Sequence, residues 1–237
     1  ETFVYYETLK NRYPNVRILT WKKEFNYSAI NNFAVREAQG EYLLFLNNDV
    51  EIITENWLEE MLQLCQQKDV GMVGAKLYYP DDTIQHAGVV VGLGGVAAHV
   101  LCKLPRDAEG YMGRLRCVQE ISAVTAACMM VKTSVFKAVG GFDEELKVAF
   151  NDIDLCMKVR KYGVKIVFTP YAELYHYESK SRGMEDTPEK QLRFSREVNC
   201  FRRKWERELL KGDPYYNPNL TLNNTDCSLR KQEKNGD

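Results

Sequence analysis

Short apolar runs alternate with segments whose apolar residues recur every three or four positions, the pattern of strands interleaved with helices. Val16 to Trp21 reads as a strand. Ser28 to Gln39 reads as a helix, with Ser28 as its cap and Gly40 as its stop. Tyr42 to Leu46 is the next strand. Thr54 to Gln67 is a helix capped by Thr54, with Trp57, Leu58, Met61, Leu62 and Cys65 on one apolar face. Val70 to Tyr78 follows as a strand and ends in Pro80-Asp81-Asp82, which is turn chemistry. This β-α-β-α-β order predicts an α/β fold with a parallel sheet and right-handed crossovers.

Ile84 to Val91 reads as a further strand. Gly92-Leu93-Gly94-Gly95 opens a loop region reaching to about Val118. It lacks the Lys-Ser/Thr of a P-loop, so a mobile loop is favoured over a phosphate cradle. Ser122 to Val131 is apolar and buried, and Thr133 caps a short helix ending at Gly140-Gly141. Asp152 to Tyr162 is a helix stopped by Gly163. Lys165 to Thr169 and Glu173 to Tyr177 are short strands broken by Pro170. A long, mostly charged helix runs from Thr187 to Lys211, with Leu192, Val198, Phe201, Trp205 and Leu209 as its docking face. Beyond Gly212 the chain is polar and reads as a partly disordered tail. The expected organisation is a domain over 1–183, a helical extension over 184–212 and the tail over 213–237.

At 237 residues the chain has ample material for a core. A formal net charge of −1 removes bulk attraction to nucleic acid, so no nucleic-acid partner is expected. The seven cysteines are scattered, and Cys65, Cys128 and Cys156 fall within apolar stretches. That argues for a reducing cytosol over a disulfide framework, and no pair has zinc-site spacing. No apolar run is long enough to span a membrane. The first residue is Glu1, not Met, which suggests an excised piece of a longer chain.

Candidate chemistry begins where the run Tyr42-Leu43-Leu44-Phe45-Leu46 stops abruptly in Asn47-Asn48-Asp49. In open α/β sheets ligands bind past the carboxyl ends of the strands. A carboxylate there suits a hard cation, and a hard cation suits a diphosphate. A second acidic cluster, Asn151-Asp152-Ile153-Asp154, opens a helix. Asp154 reads as a helix-terminus charge and Asp152 as a candidate general base. His176 ends a strand beside Lys180 and Arg182, residue types that meet phosphate.

Three blocks, Phe25 to Ile52, Ser122 to Cys156 and Thr169 to Gly183, together resemble family 2 glycosyltransferases with the GT-A fold. More narrowly, they are similar to bacterial enzymes of rhamnan-type or O-antigen polysaccharide synthesis. The blocks occur in the family's order. The resemblance implies an α/β, mixed but mostly parallel sheet flanked by helices. It implies metal-dependent, inverting transfer of a sugar from a nucleotide-sugar donor to a hydroxyl of a glycan or lipid-linked acceptor. Mg²⁺ or Mn²⁺ would sit on Asp49 and His176, Asp152 would be the base, and Asn31, Asn32, Asn48, Asp49, Gly141 and Arg182 would line the donor site.

The motif departs from the family in places. Many relatives carry Asp where this chain has Asn47 and Asn48, Glu where it has Asn151, and Arg where it has Asn31. Nothing before Asn47 matches the family's opening β-α-β, which grips the nucleoside. The chain is therefore expected to lack that pocket, to be inactive by itself, and to self-associate through its exposed N-terminal side. The cytoplasm, at the inner face of the membrane, is the expected location. Arg193, Arg196, Arg202, Arg203 and Lys204 offer a peripheral contact with anionic lipid. Glu189, Glu197, Glu206 and Glu208 interrupt them and favour an ordinary solvated face. Two other functions compete: a non-catalytic carbohydrate- or partner-binding remnant of a transferase, and, more weakly, a nucleotidyltransferase.

Overall fold

A computed structural model describes residues 2–178 and 187–231. In chain order the elements are α1 (Thr2–Arg12), α2 (Tyr27–Glu37), β1 (Tyr42–Leu46), β2 (Val50–Ile52), α3 (Trp57–Cys65), β3 (Val70–Tyr78), β4 (Ile84–His86) and β5 (Val89–Val91). They continue as β6 (Ala97–His99), β7 (Gln119–Glu120), β8 (Cys128–Lys132), α4 (Thr133–Ala138), α5 (Asn151–Tyr162), β9 (Lys165–His176) and α6 (Pro188–Lys211).

The main sheet runs β1-β8-β3-β9-β2, with β4 added to β3 and β7 to β9. Among the described residues only β3 and β9 pair in parallel; the other pairs are antiparallel. The expectation of a mostly parallel sheet is thus corrected to a mixed, mostly antiparallel one. The β-α-β reading had the directions right but missed an insertion. β8 slots antiparallel between β1 and β3, so β1, β3 and β9 still point the same way. Their carboxyl ends share one edge of the sheet.

β3 is buried along its whole length and separates two apolar layers. On one side Trp57, Met61 and Cys65 of α3 pack on Val73, Ala75, Leu77, Met130 and Leu174. On the other, Met72 and Tyr78 join Phe45, Phe136, Phe142, Ile153, Phe168, Phe201 and Trp205. Burying this much apolar side chain on both faces is the main stabilising term of the domain.

Several local expectations shift. Asn26 caps α2, its side chain accepting from the Ala29 N–H at 3.0 Å. Ser28 lies inside that helix and donates to the Leu146 carbonyl at 2.6 Å. Thr54 does not cap α3; its hydroxyl accepts from the Glu173 N–H at 3.2 Å. Val16 to Trp21 forms no strand, because a strand needs a neighbour and no described residue pairs with this segment. The run from Ile84 to Val91 splits at Gly88, whose φ of 105° turns the chain from the main sheet into the β5–β6 hairpin. The Gly92–Gly95 stretch is the turn of that hairpin. Pro170 does not break β9; the ladder with β3 absorbs it by a register shift opposite Gly74 and Lys76.

The tail reading is corrected for residues 213–231. Tyr216, Leu220 and Cys227 are buried. The segment lies over the hairpin: the Gly94 N–H donates to Leu222 O at 2.8 Å, and Asp213 accepts from the Val91 N–H at 2.8 Å. Sparse apolar anchors joined by backbone hydrogen bonds leave no periodicity to read. Within α6, Phe201 and Trp205 dock as expected, whereas Leu192 is exposed. Arg202 reaches back to Gly95 O at 3.1 Å, and Lys204 is held in ion pairs, so part of the charge considered for lipid contact faces the protein.

Candidate active site

The shared carboxyl edge gathers the polar ends of β1 and β9. Directly after β1 the chain turns through Asn48 and Asp49 and re-enters the sheet as β2, antiparallel to β9 with Val50 opposite His176. The Tyr177 N–H donates to Asp49 O at 2.8 Å, which locks that register. Asp49 Oδ1 consequently lies 3.2 Å from His176 Nε2, and both side chains are largely buried. Asn47 Nδ2 is 3.3 Å from the same nitrogen. Asn48 is exposed at the tip of the turn.

Asp49 Oδ1 is buried, and the His176 ring at 3.2 Å is its partner. A buried carboxylate is costly unless a donor or a cation neutralises it. Two ligands at right angles about 2.1 Å from an octahedral cation stand about 3 Å apart, which fits the Asp49–His176 spacing. Burial pushes His176 below its ordinary pKa, with Asp49 pulling the other way, so the ring tends to the neutral form that binds metals. Among the described residues no group of three or more His, Cys, Asp or Glu converges. A cation here would therefore complete its shell with ligand oxygens and water.

The surroundings of Asp152 are built from a different segment. The Asn47 N–H donates to Ala127 O at 2.9 Å, and the neighbouring Ala126 N–H donates to Asp152 Oδ2 at 3.2 Å. One short stretch before β8 thus ties the Asp49 turn to Asp152. Asp152 Oδ1 accepts from the Ile153 N–H at 2.8 Å, so two backbone donors fix the plane of a half-buried carboxylate. Tyr27 donates to Ala126 O at 3.1 Å, and its phenol is pushed well above the usual range by burial and then by Asp152.

Phe150, just before this cluster, has φ 62°, a conformation costly for a bulky residue. α6 holds it there. Phe201 and Phe194 stack on its ring at 5.5 and 5.7 Å, and buried Glu197 accepts from the N–H groups of Val148 and Ala149 at 2.9 and 3.0 Å. Asp154, read as a helix-terminus charge, is fully buried. It accepts from Trp205 Nε1 at 2.8 Å and pairs with Lys204 at 2.8 Å and Lys158 at 3.3 Å. The helix read as a charged extension is thus the scaffold of the Asp152 segment. The sequence signal for it was weak, because Glu197 and Asp154 look like any solvated helix charge.

The remaining candidates divide. Asn31 donates to Tyr27 O at 2.8 Å within α2. Both amide hydrogens of Asn32 are used inside the chain, on Phe142 O at 2.9 Å and Glu144 Oε1 at 3.1 Å, and its oxygen accepts from the Phe142 N–H at 3.0 Å. Asn32 therefore holds the Gly140–Phe142 loop, where a direct donor contact was expected. Gly141 has φ 67°, and a Cβ on it would come within 2.7 Å of Asn32 Oδ1. Gly141→Ala should therefore spring the loop and destabilise the fold by about 1–3 kcal/mol, read as a lowered denaturation midpoint. An unchanged midpoint would show that the loop relaxes freely. Arg182 lies outside the described residues.

The chain belongs to the glycosyltransferase-like family, whose model matches residues 13–197. Uncharacterized protein y4gI of Sinorhizobium fredii is 53% identical over 230 residues, 97% of this chain and 25% of that protein. O-antigen biosynthesis protein RfbC of Myxococcus xanthus is 42% identical over 225 residues, 94% of this chain and 17% of that protein. This chain therefore spans a quarter or less of either relative. Mannosyltransferase PcManGT from Pyrobaculum calidifontis, solved in complex with GDP-Man and Mn²⁺, shares the fold with a TM-score of 0.58 at 15% identity. The match covers 87% of this chain and 51% of that one.

Proposed function

We propose that this domain transfers a sugar from a nucleotide-sugar donor to a hydroxyl of a glycan or lipid-linked acceptor in cell-surface polysaccharide synthesis. The reaction would invert the anomeric carbon and need Mg²⁺ or Mn²⁺. The observation that supports this most is the buried Asp49 oxygen 3.2 Å from His176 Nε2, joined through Ala126–Ala127 to Asp152. Asp49 and His176 would hold the cation, which when bound neutralises the leaving diphosphate. Asp152 accepts the proton of the attacking hydroxyl, its carboxylate plane kept by Ala126 and Ile153. The Gly140–Phe142 loop, held by Asn32, shapes the wall beside the sugar.

The test supplies Mn²⁺, a panel of nucleotide sugars and lipid-linked glycans, and follows label into the acceptor. Metal-dependent transfer is expected; it would also overturn the sequence-based expectation that this chain is inactive by itself. Mn²⁺-dependent binding of the diphosphate with no transfer for any donor would favour the second reading, a non-catalytic remnant. That reading draws on the uncharged Asn47, Asn48 and Asn151. Absence of both binding and transfer would contradict the transferase reading.

A further inference from the structure

Gln85 lies in β4 with its side chain against His176, a role that its place in a short strand does not announce. Its carboxamide makes two contacts with that one residue: Nε2 donates to His176 O at 3.1 Å, and Oε1 is 2.7 Å from His176 Nδ1. The first contact decides the second. A backbone carbonyl only accepts, so the NH₂ group must face it, and the carbonyl end of the amide must face the ring. That oxygen also only accepts, so Nδ1 carries the proton. In a neutral ring Nε2 is then bare, and it is Nε2 that faces Asp49 Oδ1. The Asn47 NH₂ group at 3.3 Å from Nε2 agrees, since it needs an acceptor there.

Gln85 is well placed to impose this. It is 4% exposed, its strand pairs with β3, and its own carbonyl meets His99 Nδ1 at 3.0 Å and the Cys102 thiol at 3.1 Å. The side chain cannot swing away without leaving a buried polar group unpaired.

We propose that Gln85 is a positioning residue that holds His176 as its Nδ1–H tautomer and so presents a bare Nε2, beside Asp49, to a divalent cation. The cation half of this rests on the metal reading given above; the tautomer half does not.

The chain has three histidines, so ring nitrogens can be assigned by ¹⁵N NMR on the metal-free protein. Wild-type His176 should show a protonated Nδ1 and an unprotonated Nε2. In Gln85→Leu the ring should shift toward Nε2–H, bonded to Asp49. In Gln85→Glu, which keeps an acceptor facing Nδ1, the wild-type tautomer should persist. Titration with Mn²⁺ alone, followed by the loss of free-ion electron paramagnetic resonance signal, should give affinity about 10- to 100-fold weaker for Gln85→Leu and near wild type for Gln85→Glu. A wild-type His176 protonated at Nε2 overturns the proposal without any variant. So does a folded Gln85→Leu with unchanged tautomer and unchanged Mn²⁺ affinity. Wild-type Nδ1–H with no Mn²⁺ binding would keep Gln85 in its role and overturn the metal reading alone.

Discussion

Asp152→Asn should lower transfer turnover by about 10²- to 10⁴-fold, the usual worth of a general base, with little change in donor affinity. The substitution keeps the shape and an acceptor oxygen for the Ala126 N–H, so the segment should stay in place. What disappears is the carboxylate to which the proposed function assigns the hydroxyl proton. Steady-state kinetics with separate kcat and KM reads the difference. A variant with wild-type turnover would remove Asp152 from the mechanism.

Asp154→Ala, two residues on, should act on stability instead. Its carboxylate is fully buried among Trp205, Lys158 and Lys204. Removing one partner from such a group leaves buried charge uncompensated, which costs about 3–5 kcal/mol. Lys204 keeps Asp143 at 2.5 Å, so the lower end is expected. Urea denaturation should show the loss as a lower midpoint at similar slope. A loss below about 1 kcal/mol would mean that the Asp154 contacts add little to the docking of α6. The pair separates chemistry from scaffolding: Asp152 should change rate at near-constant stability, Asp154 the reverse.

Much of this site was legible in the sequence because strands end where chemistry begins. The stop of an apolar run at Asn47-Asn48-Asp49 and the strand end at His176 both mark the carboxyl edge, and the structure brings them to 3.2 Å. Local periodicity also located β3, α5 and α6 closely. What failed was whatever depends on partners far along the chain. The antiparallel insertion of β8 between β1 and β3 leaves no trace in either strand's own pattern. Val16 to Trp21 has strand composition but no neighbour. Gln85, Glu197 and Asn32 act through hydrogen bonds to residues 91, 49 and 110 positions away, and a single side chain in a strand or helix does not announce such a bond. Phe150 is invisible for another reason: a positive φ in a bulky residue is imposed by the helix packed on it, not by its own preference.

The central claim is a cation-dependent diphosphate site on Asp49 and His176. Calorimetric titration of a nucleoside diphosphate into this chain, with Mn²⁺ and again with the metal chelated, tests it most directly. Binding should appear with Mn²⁺, vanish on chelation, and weaken by at least about tenfold in Asp49→Asn, a loss of some 1.4 kcal/mol. Equal affinity with and without the metal, or an Asp49→Asn chain that binds as wild type does, would contradict it.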